Sequence, residues 1–271
     1  MLVAIVISVV ILFYFFMVFP RRTEKKRILD ISPSMFAHRG YHDIAHRIPE
    51  NSMTAFHAAI QHGYGIELDL HLTRDGQLIV FHDDTLERLC GRPGRVEDLT
   101  YDELKSLCLL GTDERIPLFS EVLAAVNGRV PLLIELKIPT FSLKICEETY
   151  RILKSYSGHY MIQSFNTMGL RWFRLHAPHI LRGQLAEHLT ARECREAWLL
   201  KFLVQNLFCN FLGRPDFISY RLSDLPHLSV LLLKYIFRVP IAVWTLTTNE
   251  ELKKGMSGYH IQIFEKHGEN Y

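Results

Sequence analysis

Short β-like runs alternate with helix-length apolar patterns along most of this chain, and that alternation restricts it to a mainly parallel sheet covered by helices. Strand-like runs lie at 35–39, 66–72, 132–137, 160–165, 180–186, 216–220, 241–246 and 259–264. Helical spacing fills most of the intervals. In Met53–Gln61, Met53, Phe56, Ala59 and Ile60 recur at helical intervals and Gly63 supplies a stop; residues 141–154 form a second such pattern. One segment breaks the alternation. Residues 68–82 read as strand, Thr73-Arg74-Asp75-Gly76, strand, and Asp-Gly between two β-like runs signals a hairpin. A hairpin gives an antiparallel pair, whereas parallel neighbours need a crossover of roughly a dozen residues or more. The arm at 78–81 is therefore not a barrel strand. It opens a small insertion after the second strand, over about 73–115. The eight remaining candidates fit a closed TIM (β/α)8 barrel over 35–271. A doubly wound open sheet is the alternative, and 187–215 is the least regular stretch.

The first residues follow different rules. Residues 2–19 carry no charge, and a run of roughly 18 apolar residues just spans a bilayer core of about 30 Å. A cleaved signal peptide would want basic residues before the run and small residues at its end. Here the end reads Phe-Met-Val-Phe-Pro, and the basic residues Arg21, Arg22, Lys25, Lys26 and Arg27 come after it. A buried core helix rarely lacks a polar face over such a length. The expectation is one N-terminal transmembrane helix over 1–20, a basic juxtamembrane linker over 21–34, and a single-pass membrane protein whose following domain is cytoplasmic by the positive-inside bias. The five cysteines, Cys90, Cys108, Cys146, Cys194 and Cys209, are widely spaced and show no paired CxxC, which suits a reducing compartment. A net charge of +2 is too small to call for nucleic acid.

Ionisable residues gather at or near the ends of the first strands. Glu67 and Asp69 are two apart and so share one face of a strand, as do Glu135 and Lys137. Their neighbours Ile66, Leu68, Leu70, Ile134 and Leu136 suit the helix-facing side. Charged groups pointing into a barrel are costly unless paired or metal-bound. Three converging carboxylates raise one another's pKa, and a divalent cation relieves the repulsion. Oxygen ligands favour a hard ion, Mg²⁺ or Ca²⁺. On spacing alone this reading stands beside a plainer one, in which the acids are unrelated or paired with Arg or Lys. In His38-Arg39-Gly40, the imidazole can exchange a proton near neutrality, the guanidinium fits a phosphate and the glycine permits close backbone approach. His82, also at a strand end, can complete an acid/base pair with His38. Most of the fourteen histidines, His46, His57 and His62 among them, are read as surface groups.

Taken together, His38-Arg39-Gly40, Pro49-Glu50-Asn51-Ser52, Glu67-Leu68-Asp69, Thr73-Arg74-Asp75-Gly76, His82-Asp83, Leu86-Glu87-Arg88, Ile116-Pro117-Leu118 with Glu121-Val122-Leu123, and Ile134-Glu135-Leu136-Lys137 resemble the glycerophosphodiester phosphodiesterase family in order and approximate spacing. The close resemblance covers 36 to about 138. Gln163-Ser164-Phe165 and Val243-Trp244-Thr245 look like later family strands, while Ile263-Phe264-Glu265-Lys266-His267 departs from the family's Thr-Asp-x-Pro ending. The resemblance implies that His38 and His82 are catalytic, that Glu67, Asp69 and Glu135 hold a divalent metal, and that Arg39 and Lys137 bind phosphate. It sets Glu50 behind them; the alternative reading of this motif is that Asn51 or Ser52 caps the helix that follows. Trp244 and Phe165 line the alcohol pocket or pack in the core. The implied activity is metal-dependent hydrolysis of glycerophosphodiesters to glycerol 3-phosphate and an alcohol. The alternatives are a lysophospholipase D, with Leu107–Leu110 or Leu199–Phe211 as an apolar lip, and a non-catalytic membrane-anchored binding domain.

Overall fold

The computed structural model describes the chain except residues 23–24, 32–34, 141, 192–196 and 267–271. Ser32, Pro33 and Ser34 of the expected linker, Cys194 and His267 lie outside the described residues. Nine strands are present among those described: β1 (Met35–Ala37), β2 (Gly65–Leu72), β3 (Leu78–Val80), β4 (Leu132–Leu136), β5 (Tyr160–Ser164), β6 (Arg182–Ala186), β7 (Phe217–Arg221), β8 (Ile241–Leu246) and β9 (Ile261–Phe264). Every strand candidate read from the sequence is a strand. Eight of them pair in parallel, and β1 pairs with both β2 and β9, so the sheet closes into a barrel and the open doubly wound alternative is excluded. β3 pairs with β2 antiparallel, Leu70 opposite Val80, as the Asp-Gly hairpin requires.

Period-two alternation sorts side chains between two cores. Ile66, Leu68, Leu70, Leu132, Ile134 and Leu136 face outward and pack under the helices, against Phe56, Phe119 and Val122 among others. The opposite face of the strands fills the barrel: Phe36, Leu133, Met161, Leu181, Phe217, Ala242, Ile261 and Ile263 form one interior cluster. The segment after β3 brings its own small core, from Ile79 and Phe81 to Leu109 and Ile116. The helix Met53–Gln61 starts at Ser52, whose hydroxyl accepts from Ala55 N at 3.2 Å, and buries Phe56 and Ala59.

Bulk in the interior is balanced by glycine. Gly183 lies opposite Phe217 across β6 and β7, and a Cβ added there would fall 2.2 Å from the buried phenyl ring. Overpacking of this kind typically costs about 1–3 kcal/mol. Gly183→Ala is therefore expected to lower the urea midpoint by that equivalent with an unchanged denaturant slope. An unaltered midpoint would mean that the ring can move aside.

The N-terminal expectation finds no support. The helix covers Leu2–Val18, 17 residues, or about 26 Å at 1.5 Å per residue. Among the described residues no helix is long and apolar enough to cross a membrane. The single-pass topology and the cytoplasmic placement deduced from it lose their support. The last turns of this helix pack on the barrel's flank. Tyr14 Oη meets Ser229 Oγ at 3.0 Å, Asn210 Nδ2 donates to the Val18 carbonyl at 3.3 Å, and Phe15 and Phe19 contact Phe237. Part of the stretch read as linker is also helical, Lys25–Ile31, and buries Ile28 in the interior cluster at the foot of the barrel.

Candidate active site

The carboxyl ends of the strands deliver the ionisable groups to one place. In register, Asp69 on β2 faces Glu135 on β4, and Glu135 faces Gln163 on β5. Glu67, Asp69 and Glu135 are buried, and one oxygen from each lies within 4.8 Å of the others. His38 follows β1, and His82 follows the antiparallel arm. Both line a cavity of about 200 Å³ together with Arg39, Glu67, Glu135, Lys137 and Gln163. Phe165, Leu185, Glu187, Trp244 and Ile263 line the same cavity. Phe165 and Trp244 meet edge to face at 5.9 Å. The residues read from the sequence as having catalytic, metal, phosphate or alcohol-pocket roles thus surround one spot. All of them line the cavity except Asp69, which lies 3.0 Å from the ammonium of Lys137.

The turn after β1 shapes the entrance. Arg39 takes a left-handed conformation with φ 53°, and Gly40 follows at φ 81°. A Cβ at Gly40 would fall 2.9 Å from Ala55 Cβ, so glycine is required both by the backbone angle and by the close approach of the helix. This turn aims Arg39 N at Glu67 Oε2, 3.1 Å away. The Arg39 side chain donates to Glu50 at 2.6 Å. Glu50 also takes two hydrogen bonds of 2.8 Å from Arg88, and Arg88 holds Asp83 with bonds of 2.6 and 2.8 Å. Asp83 in turn bonds His82 Nδ1 at 2.6 Å. Glu50 therefore ties Arg39 to His82 through Arg88 and Asp83. Burial opposes its charge, but Arg88 and Arg39 pull it down to about 2.

Charge is unevenly distributed over the triad. Burial, with Asp69 and Glu135 beside it, pushes the Glu67 carboxyl well up. Burial also pushes Glu135 up. Asp69 departs from the expectation that all three rise: despite burial, Lys137, His82 and Arg39 hold it below the usual carboxylate range. Lys137 Nζ lies 2.5 Å from Glu135 and 3.0 Å from Asp69. The carboxylates are thus both clustered and partly paired. Three buried oxygen donors against one ammonium leave an acidic pocket, a set that suits a hard divalent cation.

Several functional contacts escaped the sequence reading. Asn51 Nδ2 donates to Asp69 at 2.9 Å, a contact not expected of it, while of the two cap candidates Ser52 is the one that caps the helix. Gln163 Nε2 donates to Glu67 at 3.3 Å. Glu265 bonds His38 Nδ1 at 2.8 Å. Inward parity was available as a signal for Gln163 and for Glu265, which continues the alternation of Ile261 and Ile263. Burial pushes His38 down to about 4, against the pull of the Glu265 hydrogen bond.

A closed parallel barrel that collects acids, bases and cations at the carboxyl ends of its strands is the architecture of TIM-barrel enzymes, and the chain is of that class. It belongs to the glycerophosphoryl diester phosphodiesterase family, whose profile matches residues 38–256. A glycerophosphodiester phosphodiesterase of Caldanaerobacter subterraneus subsp. tengcongensis is 36% identical over 163 residues, which is 56% of this chain and 65% of the relative. The match therefore spans less than two thirds of that relative's length. A lysophospholipase D of Rattus norvegicus is 41% identical over 102 residues, 33% of this chain and 32% of the relative. The structure of an Oleispira antarctica phosphodiesterase in complex with the product sn-glycerol-3-phosphate superposes with a TM-score of 0.70 at 23% identity, covering 87% of this chain and 94% of that one.

Proposed function

We propose that this chain hydrolyses glycerophosphodiesters to glycerol 3-phosphate and an alcohol, using a divalent cation, Mg²⁺ or Ca²⁺, held by Glu67, Asp69 and Glu135. One observation carries the reading: the buried carboxylate triad presents Glu67 and Glu135 to the cavity lined by two histidines, each bonded at Nδ1 to a carboxylate. When bound, the cation supplies Lewis-acid stabilisation of the phosphoryl oxygens and favours deprotonation of a nearby hydroxyl. Arg39 and Lys137 bind the phosphate. One imidazole takes the proton of the attacking oxygen, the glycerol hydroxyl or water, and the other gives a proton to the departing alcohol. Phe165 and Trp244 cover the carbon-bearing part of the ester.

The test is turnover of glycerophosphocholine and glycerophosphoethanolamine by the full chain with Mg²⁺ or Ca²⁺, followed by chelation. Activity is expected with one of the ions and should vanish in EDTA, returning when the ion is restored. Activity that persists in EDTA would remove the metal from the reading. Binding without turnover would restore the non-catalytic alternative.

Lysophospholipase D activity is the second reading. It is supported by Trp198, Leu199 and Leu200, which are exposed on the helix Trp198–Gln205 that follows β6 and the cavity residues Leu185 and Glu187. Relative turnover of lysophosphatidylcholine and glycerophosphocholine separates the two activities.

A further inference from the structure

The last strand ends beside the first, and its register decides what meets His38. Phe264 of β9 pairs with Ala37 of β1 and also with Leu246 of β8. One residue further on, His38 N donates to the Phe264 carbonyl at 2.8 Å, and Glu265 N donates to the Leu246 carbonyl at 3.1 Å. Both side chains continue the inward alternation of their strands. Glu265 Oε1 consequently lies 2.8 Å from His38 Nδ1 and 3.9 Å from His42 Nε2. The next residue, Lys266, is tied to Asp43 at 2.7 Å, which fixes the segment that carries the carboxylate. On the far side of the cavity, Asp83 takes His82 Nδ1 at 2.6 Å. Each histidine therefore commits the same ring nitrogen to a carboxylate, and Nε2 is the nitrogen left for substrate. For His82 the carboxylate is the adjacent residue in the chain. For His38 it comes from the other end of the barrel, in the segment where this sequence abandons the family's ending.

We infer that Glu265 is a positioning residue for His38: its carboxylate accepts a hydrogen bond from Nδ1–H, keeps the proton on that nitrogen, fixes the ring's orientation, and so presents the unprotonated Nε2 to the reacting oxygen. The inference rests on the acid/base reading of His38. A carboxylate behind an imidazole acts in this way because the hydrogen bond at one nitrogen determines which nitrogen keeps its lone pair. The bond also stabilises the imidazolium that forms once the proton has been taken. Glu265 is held below the usual carboxylate range, first by this hydrogen bond, so the acceptor is ionised near neutrality.

The test pairs kinetics with a direct observation of the ring, using Glu265→Ala, Glu265→Gln and Glu265→Asp in the full chain. For Glu265→Ala, kcat on glycerophosphocholine is expected to fall about 10²-fold while KM stays within about threefold. Glu265→Asp should recover part of the loss. Glu265→Gln keeps the shape, guards against a folding artefact in the alanine variant, and should still lose kcat because an amide can hold either tautomer. In ¹H–¹⁵N spectra, His38 should carry its proton on Nδ1 in the native chain and become a mixture of tautomers in the alanine and glutamine variants. An unchanged kcat in Glu265→Ala, or a His38 tautomer that does not respond, would overturn the assignment. A native chain that turned over no glycerophosphodiester would instead defeat the proposed activity, and the spectra would still decide whether Glu265 governs His38.

Discussion

Glu67→Gln is expected to lower kcat/KM for glycerophosphocholine by about 10³-fold, equivalent to ~4 kcal/mol of transition-state stabilisation, while leaving the metal-free protein at least as stable as before. The two effects have opposite signs because they have different origins. The triad places three buried carboxyl groups within 4.8 Å of one another, and among the described residues Lys137 and Arg39 form the ion pairs that oppose them. Glu67 is the member without a salt bridge to either. It accepts from Arg39 N and from Gln163 Nε2 only. Its negative charge is thus useful for ligation and a liability for folding. An amide in its place keeps an oxygen for Arg39 N. Gln163 Oε1 is buried without a hydrogen-bond partner, so a flip of its amide lets it accept from the new NH₂. Thermal unfolding in EDTA should therefore show an equal or higher Tm for the variant. With metal at about a hundred times its Kd, the native chain should gain ~2.7 kcal/mol and the variant almost nothing. A variant that still gained stability with the ion would show that Glu67 does not ligate it.

The parts of this molecule legible in its sequence are those governed by short-range periodicity. Ile66, Glu67, Leu68, Asp69 and Leu70 alternate, so the strand, its outward apolar face and its inward acids could be read together. The hairpin at Asp75-Gly76 likewise carried its own geometry, which separated β3 from the barrel strands. What could not be read depends on closure or on backbone conformation. That Glu265 meets His38 follows from the β1–β9 register, which joins residues 227 positions apart. Asn51 reaches Asp69 from a left-handed backbone, φ 52°, that no pattern in Pro49-Glu50-Asn51-Ser52 announces. Asp69 resists the upward shift of its neighbours because Lys137 folds back onto it, a matter of rotamer rather than spacing. The N-terminal run divides: its apolar residues from Leu2 to Phe13 are exposed, and only its last turns meet the barrel's flank. Tyr14, Phe15 and Phe19 found Ser229 and Phe237 there.

His38→Ala and His82→Ala should each lower turnover of glycerophosphocholine by roughly 10²–10⁴-fold, and a change of leaving group should tell them apart. The two rings differ in setting. His38 is the more enclosed, with 12% of its side chain exposed against 31% for His82, and burial pushes it down to about 4. Its ring is consequently neutral near pH 7, the form a general base needs. Beside His82, Asp83 is held below the usual carboxylate range, against its own burial, by hydrogen bonds from His82 and Arg88, and the ring it orients is the more open of the two to solvent, where a spent proton donor can be recharged. The expected assignment is His38 as base and His82 as acid. An ester of p-nitrophenol leaves without needing a proton, so His82→Ala should recover most of its lost rate on glycerophospho-p-nitrophenol, whereas His38→Ala should remain slow on both substrates. Loss of both rings should cost little more than loss of His38 alone on the activated ester, because groups that act in one step do not contribute additively. Recovery in His38→Ala rather than His82→Ala would reverse the roles. Recovery in neither would mean that departure of the alcohol does not limit the reaction.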